Sequence, residues 1–391
     1  MSEVFITDGL LRKSLTALRS LGSKGIFTTV GEKSWFSPSL FSKYCNSRVK
    51  YPDPEVDPDV FFQWLTEWLI ENNRPAFFPM DDAVMDIVIN HVEEINKLSK
   101  CLLPSKDSYK VASDKFETLK LANKLSINIP KTIFERNEEN IIELANTLQY
   151  PLIIKPRKSS GSRGIRKIES ADEFIKTLPE IELEYPNSII QEYIPLGDRF
   201  DVCLLYDQNH SVQASFVQKE LRHFPVKMGP STVQESVFFK DLIETTVRLL
   251  KPLNWSGIVE VEFMMDSRTN EPVLMEINPR FWNSLDLSVQ CGIDFPYMLY
   301  QLCQGEEILN PGVDTKYEVG RKSRWSFPGD FLHFLLNPDR FSMDPPFLAG
   351  KKQRVYDDTF CLLDPIPGLV LLLACFRFAF SIKHWKKFFK R

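Results

Sequence analysis

No C-x-x-C pair occurs in this chain, and its seven cysteines (Cys45, Cys101, Cys203, Cys291, Cys303, Cys361, Cys375) are scattered and odd in number. That usage argues against a disulfide framework and for small, buried apolar groups. With no secretory leader legible in the first residues, a reducing cytoplasm is the expected setting. The five histidines show no metal-ligand spacing, and no Ser-His-Asp or Cys-His arrangement can be traced. The phosphate-binding pattern G-x-x-x-x-G-K-[ST] is missing, as are internal repeats and low-complexity tracts. No apolar run reaches the roughly 20 residues that a membrane span needs. A formal net charge of −4 gives no general attraction to nucleic acid.

What is present is an ordinary globular composition, 43% hydrophobic and 26% charged over 391 residues, enough for about two or three domains. The most informative stretch is Ser256 to Ser284. Alternation predicts a strand from Ile258 to Met265, with Val259, Val261 and Phe263 on one face and Glu260, Glu262 and Met264 on the other. A D-S-R-T-N turn follows, and a second strand, Val273 to Ile277, places Glu276 and Asn278 on a common face. Paired as a hairpin, these strands bring the carboxylates of Glu262 and Glu276 together with the amide oxygen of Asn278. Adjacent carboxylates repel unless a cation sits between them, and an all-oxygen set suits a hard ion such as Mg²⁺ shared with phosphates. The competing reading is an amphipathic hairpin with a solvated acidic face.

Two upstream stretches favour nucleotide chemistry. In Y-P-L-I-I-K-P-R-K-S-S-G-S-R-G-I-R-K-I (Tyr150 to Ile168) a buried strand delivers Lys155, and Pro156 stops the pairing. The small-residue loop after it, Ser159 to Gly164, can close backbone N–H groups over phosphate oxygens. Ser188 to Ile194 then predicts a strand whose backbone offers an adenine edge one donor and one acceptor, and Asp198 can accept from a ribose. Nearer the start, Val4 to Ile6, Gly25 to Val30 and Pro75 to Pro79 predict strands of a parallel sheet alternating with helices. Thr7, Asp8 and Asp81 fall at its carboxyl edge, as a substrate-side rim or as helix caps, the latter preferred for Asp8. Asp114 and Glu117 predict the capped start of a helix running to about Leu125, with Lys115 in a first turn where the helix dipole does not favour a cation.

This order of elements resembles the ATP-grasp superfamily, and among its members the carbamoyl-phosphate-synthase-like carboxylate–amine ligases, over roughly Lys110 to Gln304. The resemblance implies an α/β (α+β) ATP-grasp fold: an N-terminal parallel α/β domain, then two α+β subdomains clasping ATP, with a C-terminal extension. The expected bounds are 1–108, 109–188 for the small subdomain with its glycine-rich loop, 189–310 for the large subdomain with the metal-binding hairpin, and 311–391. The resemblance implies that Lys115, Lys155 and the loop residues Ser160, Gly161, Ser162 and Gly164 bind phosphates. It implies that Gln191, Glu192, Tyr193 and Ile194 form the adenine hinge, with the hinge acid open between Gln191 and Glu192, and that Asp198 binds ribose. Glu262, Glu276 and Asn278 are the implied metal ligands, with Glu262 preferred over Glu260. Arg280, from the E-x-N-x-R ending, is implied to be catalytic. Lys219 and Arg222, with Lys227, lie in a segment similar to one that overhangs the site in such ligases, and basic side chains there can hold the γ-phosphate or an acidic substrate; the competing reading for Arg222 and Lys227 is a solvated loop.

The implied activity is ATP-dependent: a carboxylate is phosphorylated to an acyl phosphate and an amine attacks it, releasing ADP and phosphate. The implied cofactors are ATP and Mg²⁺ (or Mn²⁺), and the partners are small-molecule carboxylate and amine substrates, with no nucleic acid. A homodimer, a non-catalytic ATP sensor and a membrane-recruited scaffold stay open as alternatives. Beyond about Asn310 the resemblance fades. Phe331 to Leu336 predicts a helix, and the chain ends in an apolar then basic stretch from Pro367. That tail is open between a peripheral anchor, at the inner face of a membrane, and a segment packed on the protein or on a partner.

Overall fold

In this computed structural model, residues 3–135, 141–159, 163–226, 229–309 and 311–379 are described. The apolar run Val4–Ile6 is β1, fully buried at the centre of a four-stranded parallel sheet in the order β3-β2-β1-β4. Its partners are β2 (Thr28–Glu32), β3 (Ser47–Lys50) and β4 (Ala76–Phe78). Helix α1 (Arg12–Ser23) covers one face with Leu15, Leu18 and Leu21, while α2 (Pro58–Glu71) covers the other. There Phe61, Leu65 and Trp68 pack against Phe5 and Phe77. Helices α3 (Asp82–Asn90) and α4 (Val92–Leu98) follow β4, and α5 (Lys106–Ser113) and α6 (Lys115–Lys124) lead out of this domain.

A small antiparallel sheet comes next, in the order β6-β5-β7, from β5 (Leu152–Lys155), β6 (Arg166–Ile168) and β7 (Ile189–Glu192). Helices α7 (Ile141–Thr147) and α8 (Ala171–Glu184) bury Ala145, Phe174, Leu178 and Ile181 against it. Strand β7 thus extends the small subdomain beyond residue 188, because its backbone completes the free edge of β5.

The third sheet has seven strands in the order β12-β11-β8-β9-β10-β13-β14. These are β8 (Arg199–Tyr206), β9 (Val212–His223), β10 (Ser231–Val237), β11 (Gly257–Asp266), β12 (Glu271–Asn278), β13 (Lys322–Arg324) and β14 (Val355–Asp357). On one face Val202, Leu204, Val259, Val261, Phe263 and Leu274 form a core with Leu242, Leu249 and Leu250 of α9 (Lys240–Leu250). On the other, Cys203, Leu205, Phe216 and Ile258 share a core with Val4, Ile6, Leu18, Leu21 and Phe78 of the first domain. Trp282, Leu285 of α10 (Leu285–Gln290) and Phe295 of α11 (Phe295–Gln304) belong to the same core. Burying such side chains contributes about 1.5–3 kcal/mol each, so the first domain is fastened to the large sheet by apolar packing. Strands β13 and β14 come from beyond residue 310 and pair on the open edge of β10, which makes the C-terminal region part of this sheet. It also supplies α12 (Phe331–Leu336) and α13 (Ile366–Ala379), the latter packed on the short turn Pro38–Phe41.

Candidate active site

The strands β11 and β12 pair antiparallel with Glu262 opposite Glu276 and Glu260 opposite Asn278. Val259, Val261 and Phe263 fill the core, so pleating turns the acids to the opposite face. The Asn278 amide nitrogen lies 2.7 Å from Glu262 Oε1, 3.2 Å from Glu260 Oε2 and 3.4 Å from Glu276 Oε1. Burial, with Glu276 and Glu260 beside it, pushes Glu262 well above the usual carboxylate range. Burial raises Glu276 too, but Lys115, Lys155 and Arg280 outweigh it, and its carboxyl sits below the usual range. Glu260, 5% exposed, rises to about 8 through burial, which Arg280 only partly opposes. Two carboxylates of unlike affinity for protons, facing one another around an amide, form a site that calls for positive charge.

Lysines supply part of that charge. Lys155 ends β5 and is 4% exposed; burial and then Lys115 pull it down to about 8. Lys115 opens α6, where Asp114 caps the helix by accepting from the Phe116 and Glu117 N–H groups. Its ammonium donates to Ser159 O at 2.6 Å and pairs with Glu276 Oε2 at 3.0 Å. That pair compensates for a cation at a helix N-terminus. Arg157 binds Asp114 at 2.7 Å and Glu117 at 3.2 Å, tying the start of the loop after Lys155 to the head of α6. Of that loop, Ser160, Gly161 and Ser162 lie outside the described residues, as does Lys227. Gly164 has φ 75° and a Cβ there would meet Pro156 Cγ at 2.6 Å, so glycine is required by the turn. Gly164 itself does not line the cavity, although Arg163 and Ile165 do.

The cavity between the two subdomains measures about 440 Å³. Lys115, Lys155, Glu262, Glu276, Asn278 and Arg280 line it together with the hinge residues Gln191, Glu192, Tyr193 and Ile194. At the hinge, Glu192 is engaged elsewhere, accepting from Lys131 N at 3.0 Å and facing Arg268 at 3.5 Å. Gln191 is 4% exposed and its side-chain nitrogen has no partner. Asp198 does not line this cavity, nor does Lys219; the two pair with each other at 2.6 Å. Arg222 does not line it either. The fully buried carboxylate of Asp330 draws its Nε to 3.0 Å and Pro345 O accepts from its Nη1 at 2.7 Å, which fastens the C-terminal region to β9. Among the described residues no group of three or more His, Cys, Asp and Glu side chains is arranged to hold a metal. In the implied ligand set the third member is an amide, and its nitrogen and the Lys115 ammonium now satisfy the two carboxylates.

The first domain contributes residues that the sequence reading passed over. Arg280 Nε pairs with Asp82 at 2.6 Å, and Asp82 opens α3 on the cavity wall. Lys13, 1% exposed, reaches Asp81 at 3.3 Å and Phe281 O at 3.2 Å. A lysine on the face of α1 that otherwise carries the small side chains Thr16, Ala17 and Ser20 was the available signal. Asp8 does not cap α1 with its side chain: the cap position is Leu11, while the Asp8 carboxylate accepts from Thr7 at 2.5 Å and from Tyr51 at 3.1 Å. Asp201 on β8 stands opposite Glu262 and accepts from Gln218, extending the acidic floor across the sheet.

Comparison with known proteins follows the same lines. Residues 112–284 match the ATP-grasp domain family. D-alanine–D-alanine ligase B of Clostridium tetani is 27% identical over 219 residues, 50% of this chain and 60% of that protein. Acetyl-CoA carboxylase 1 of Arabidopsis thaliana is 29% identical over 164 residues, 39% of this chain and 7% of that protein. The chain therefore spans less than two thirds of these relatives. Among solved structures, biotin carboxylase from Campylobacter jejuni in a β,γ-ATP complex aligns over 82% of this chain and 74% of its own, with TM-score 0.68 and 16% identity. N5-carboxyaminoimidazole synthetase from Staphylococcus aureus complexed with ADP aligns over 82% of each chain, with TM-score 0.61 and 13% identity. At these identities the structural likeness speaks for the fold, and the fold is ATP-grasp.

Proposed function

We propose that this chain, which carries an ATP-grasp domain over residues 112–284, is an ATP-dependent carboxylate–amine ligase that releases ADP and phosphate. The observation that carries the reading is the meeting, around one cavity, of the hinge Gln191–Ile194, the cations Lys115, Lys155 and Arg280, and the acids Glu262 and Glu276. The relative that is a D-alanine–D-alanine ligase and the neighbours solved as a β,γ-ATP complex or with ADP support it.

In this reading adenine sits at the hinge and the phosphates reach Lys155 and Lys115. Gln191, Glu192, Tyr193 and Ile194 hold the base, and the loop with Ser160, Gly161, Ser162 and Gly164 covers the phosphates. The donor set fits a hard divalent ion, since Glu262, Glu276 and the Asn278 amide oxygen are all oxygen ligands and none of the described residues lining the cavity is a cysteine or histidine. Bound there, Mg²⁺ (or Mn²⁺) would neutralise phosphate charge. The substrate carboxylate oxygen attacks the γ-phosphorus and ADP leaves. The amine nitrogen then attacks the acyl carbon, phosphate leaves and the amine gives up a proton. Phosphoryl transfer asks the protein mainly for position and charge, so Lys155 and Arg280 suffice without a protein nucleophile. Lys219, held by Asp198, stands outside the cavity and is assigned to its approach.

Hydroxylamine intercepts an acyl phosphate in place of the amine. With ATP, Mg²⁺ and a panel of amino acids and small carboxylates, the protein should yield hydroxamate and ADP together. Arg280→Ala should reduce both in parallel, by about 100-fold if it acts only on the transition state. AMP and pyrophosphate as products would mean adenylation. Tight ATP binding with no product across the panel would make the chain a nucleotide sensor.

A further inference from the structure

Helix α13 is apolar where it meets the protein and apolar where it does not. Val370 and Ala374 are buried, and the helix rests on the turn Pro38–Phe41. Its other side exposes Ile366 (49%), Leu369 (56%) and Leu373 (59%), at the i, i+3, i+7 spacing of a single helical stripe. Leu362 and Leu363, just before it, are 93% and 73% exposed. The stripe is held in place from behind. Between these leucines and the helix, Asp364 is buried and accepts from Arg19 at 2.9 Å, Ser42 at 2.7 Å and the Lys43 N–H at 3.0 Å. A row of aliphatic side chains fixed outward in this way is a surface waiting for a cover.

The sequence indicates what covers it. From Pro365 onward the chain contains Arg377, Lys383, Lys386, Lys387, Lys390 and Arg391 and not one Asp or Glu. Six of the 48 basic residues thus fall there and none of the 52 acids, so the rest of the chain carries a net charge of −10. Phe380, Trp385, Phe388 and Phe389 are interleaved with the cations. Leucine, phenylalanine and tryptophan combined with lysine and arginine is the composition of segments that lie in a bilayer interface, drawn by anionic headgroups. The 14 residues of α13 extend about 21 Å at the α-helical rise, short of the roughly 30 Å hydrocarbon core, and no helix among the described residues is long and apolar enough to cross a membrane.

We propose that the exposed apolar stripe of α13, with Leu362 and Leu363 before it, docks the protein on an anionic lipid bilayer. Ile366, Leu369 and Leu373 enter the headgroup boundary, and the net positive charge of the sequence from Pro365 onward attracts the anionic headgroups. The inference is independent of the reaction at the ATP site.

The test is co-sedimentation of the full chain with vesicles of phosphatidylcholine alone and of phosphatidylcholine with about a third phosphatidylglycerol, the fraction chosen to give a strong negative surface potential. The protein should bind the anionic vesicles, bind the neutral ones at least about tenfold less, and be released by about 0.5 M salt, where the Debye length falls to a few ångströms. The double variant Leu369→Glu with Leu373→Glu should lose at least about tenfold in binding while keeping its melting temperature and ATP affinity. A second variant, Lys386→Gln with Lys387→Gln and Lys390→Gln, leaves the stripe untouched and should remove the preference for anionic lipid, which keeps the test alive if the first variant does not fold. No sedimentation with either vesicle, equal sedimentation with both, or unchanged binding of both variants would each overturn the proposal. So would a dimer in light scattering that the stripe variant abolishes, since the cover would then be a second copy.

Discussion

Lys155 is the residue on which the nucleotide reading can be tested most directly. It is 4% exposed, and burial with neighbouring Lys115 lowers it to about 8, although Glu276 and Glu262 pull the other way. A phosphate pairs with the charged ammonium, so ATP binding should be strong while Lys155 is protonated and weaken as pH rises through about 8 in the free protein. Lys155→Met removes a charge-assisted hydrogen bond worth about 1.5–3 kcal/mol, so the Kd for ATP should rise roughly 10- to 100-fold, and its loss of affinity above pH 8 should disappear. Calorimetric titration at pH 7 and pH 9 reads both effects, and unchanged affinity in the variant would sink the assignment. Lys155 could be singled out from the sequence because a strand ends on it and Pro156 stops the pairing. Arg222 could not be sorted in the same way. The carboxylate that claims it, Asp330, lies far along the chain, and only the folded sheet brings the two to 3.0 Å.

At the scale of elements, the hairpin β11–β12 was legible because its acids alternate with Val259, Val261 and Phe263, and period two leaves them one face to occupy. The helix start at Lys115 was legible from Asp114, a cap whose reach is local. Edge pairings were not. Strand β7 joined the small sheet, and β13 and β14 joined the large one, through backbone hydrogen bonds that no side-chain pattern announces. The same holds for the approach to α13, which depends on Asp364 reaching Arg19, Ser42 and the Lys43 N–H on the first domain. Asp364→Ala would leave Arg19, largely buried, without its carboxylate. A broken buried pair costs about 3–5 kcal/mol, so a comparable loss of stability is expected in denaturant titration, with ATP affinity nearly unchanged. A wild-type denaturation midpoint would mean that this clamp contributes nothing to the fold.

Across the whole molecule, the first domain holds one side of the cavity to the other. Asp82, at the head of α3, fixes the Arg280 guanidinium at 2.6 Å, while Lys13 reaches Phe281 O from α1 at 3.2 Å. Arg280 also donates to Asn278 Oδ1 at 3.2 Å, so its direction depends on both the hairpin and a carboxylate from another domain. Burial works against the Arg280 charge but Asp82 outweighs it, holding Arg280 above its ordinary range; Asp82 itself, raised by burial, is brought below the carboxylate range by Arg280 and Lys13. Asp82→Asn keeps the shape of the contact and removes the charge that orients the guanidinium. If Arg280 steadies charge only as phosphate is transferred, this variant should lower kcat by about tenfold or more while leaving KM for ATP close to wild type, because the hinge and Lys155 belong to the other wall. A merely structural role for Asp82 predicts a lower melting temperature with kcat per folded molecule unchanged. A variant that raised KM for ATP and spared kcat would place Arg280 among the groups that hold the nucleotide in its ground state.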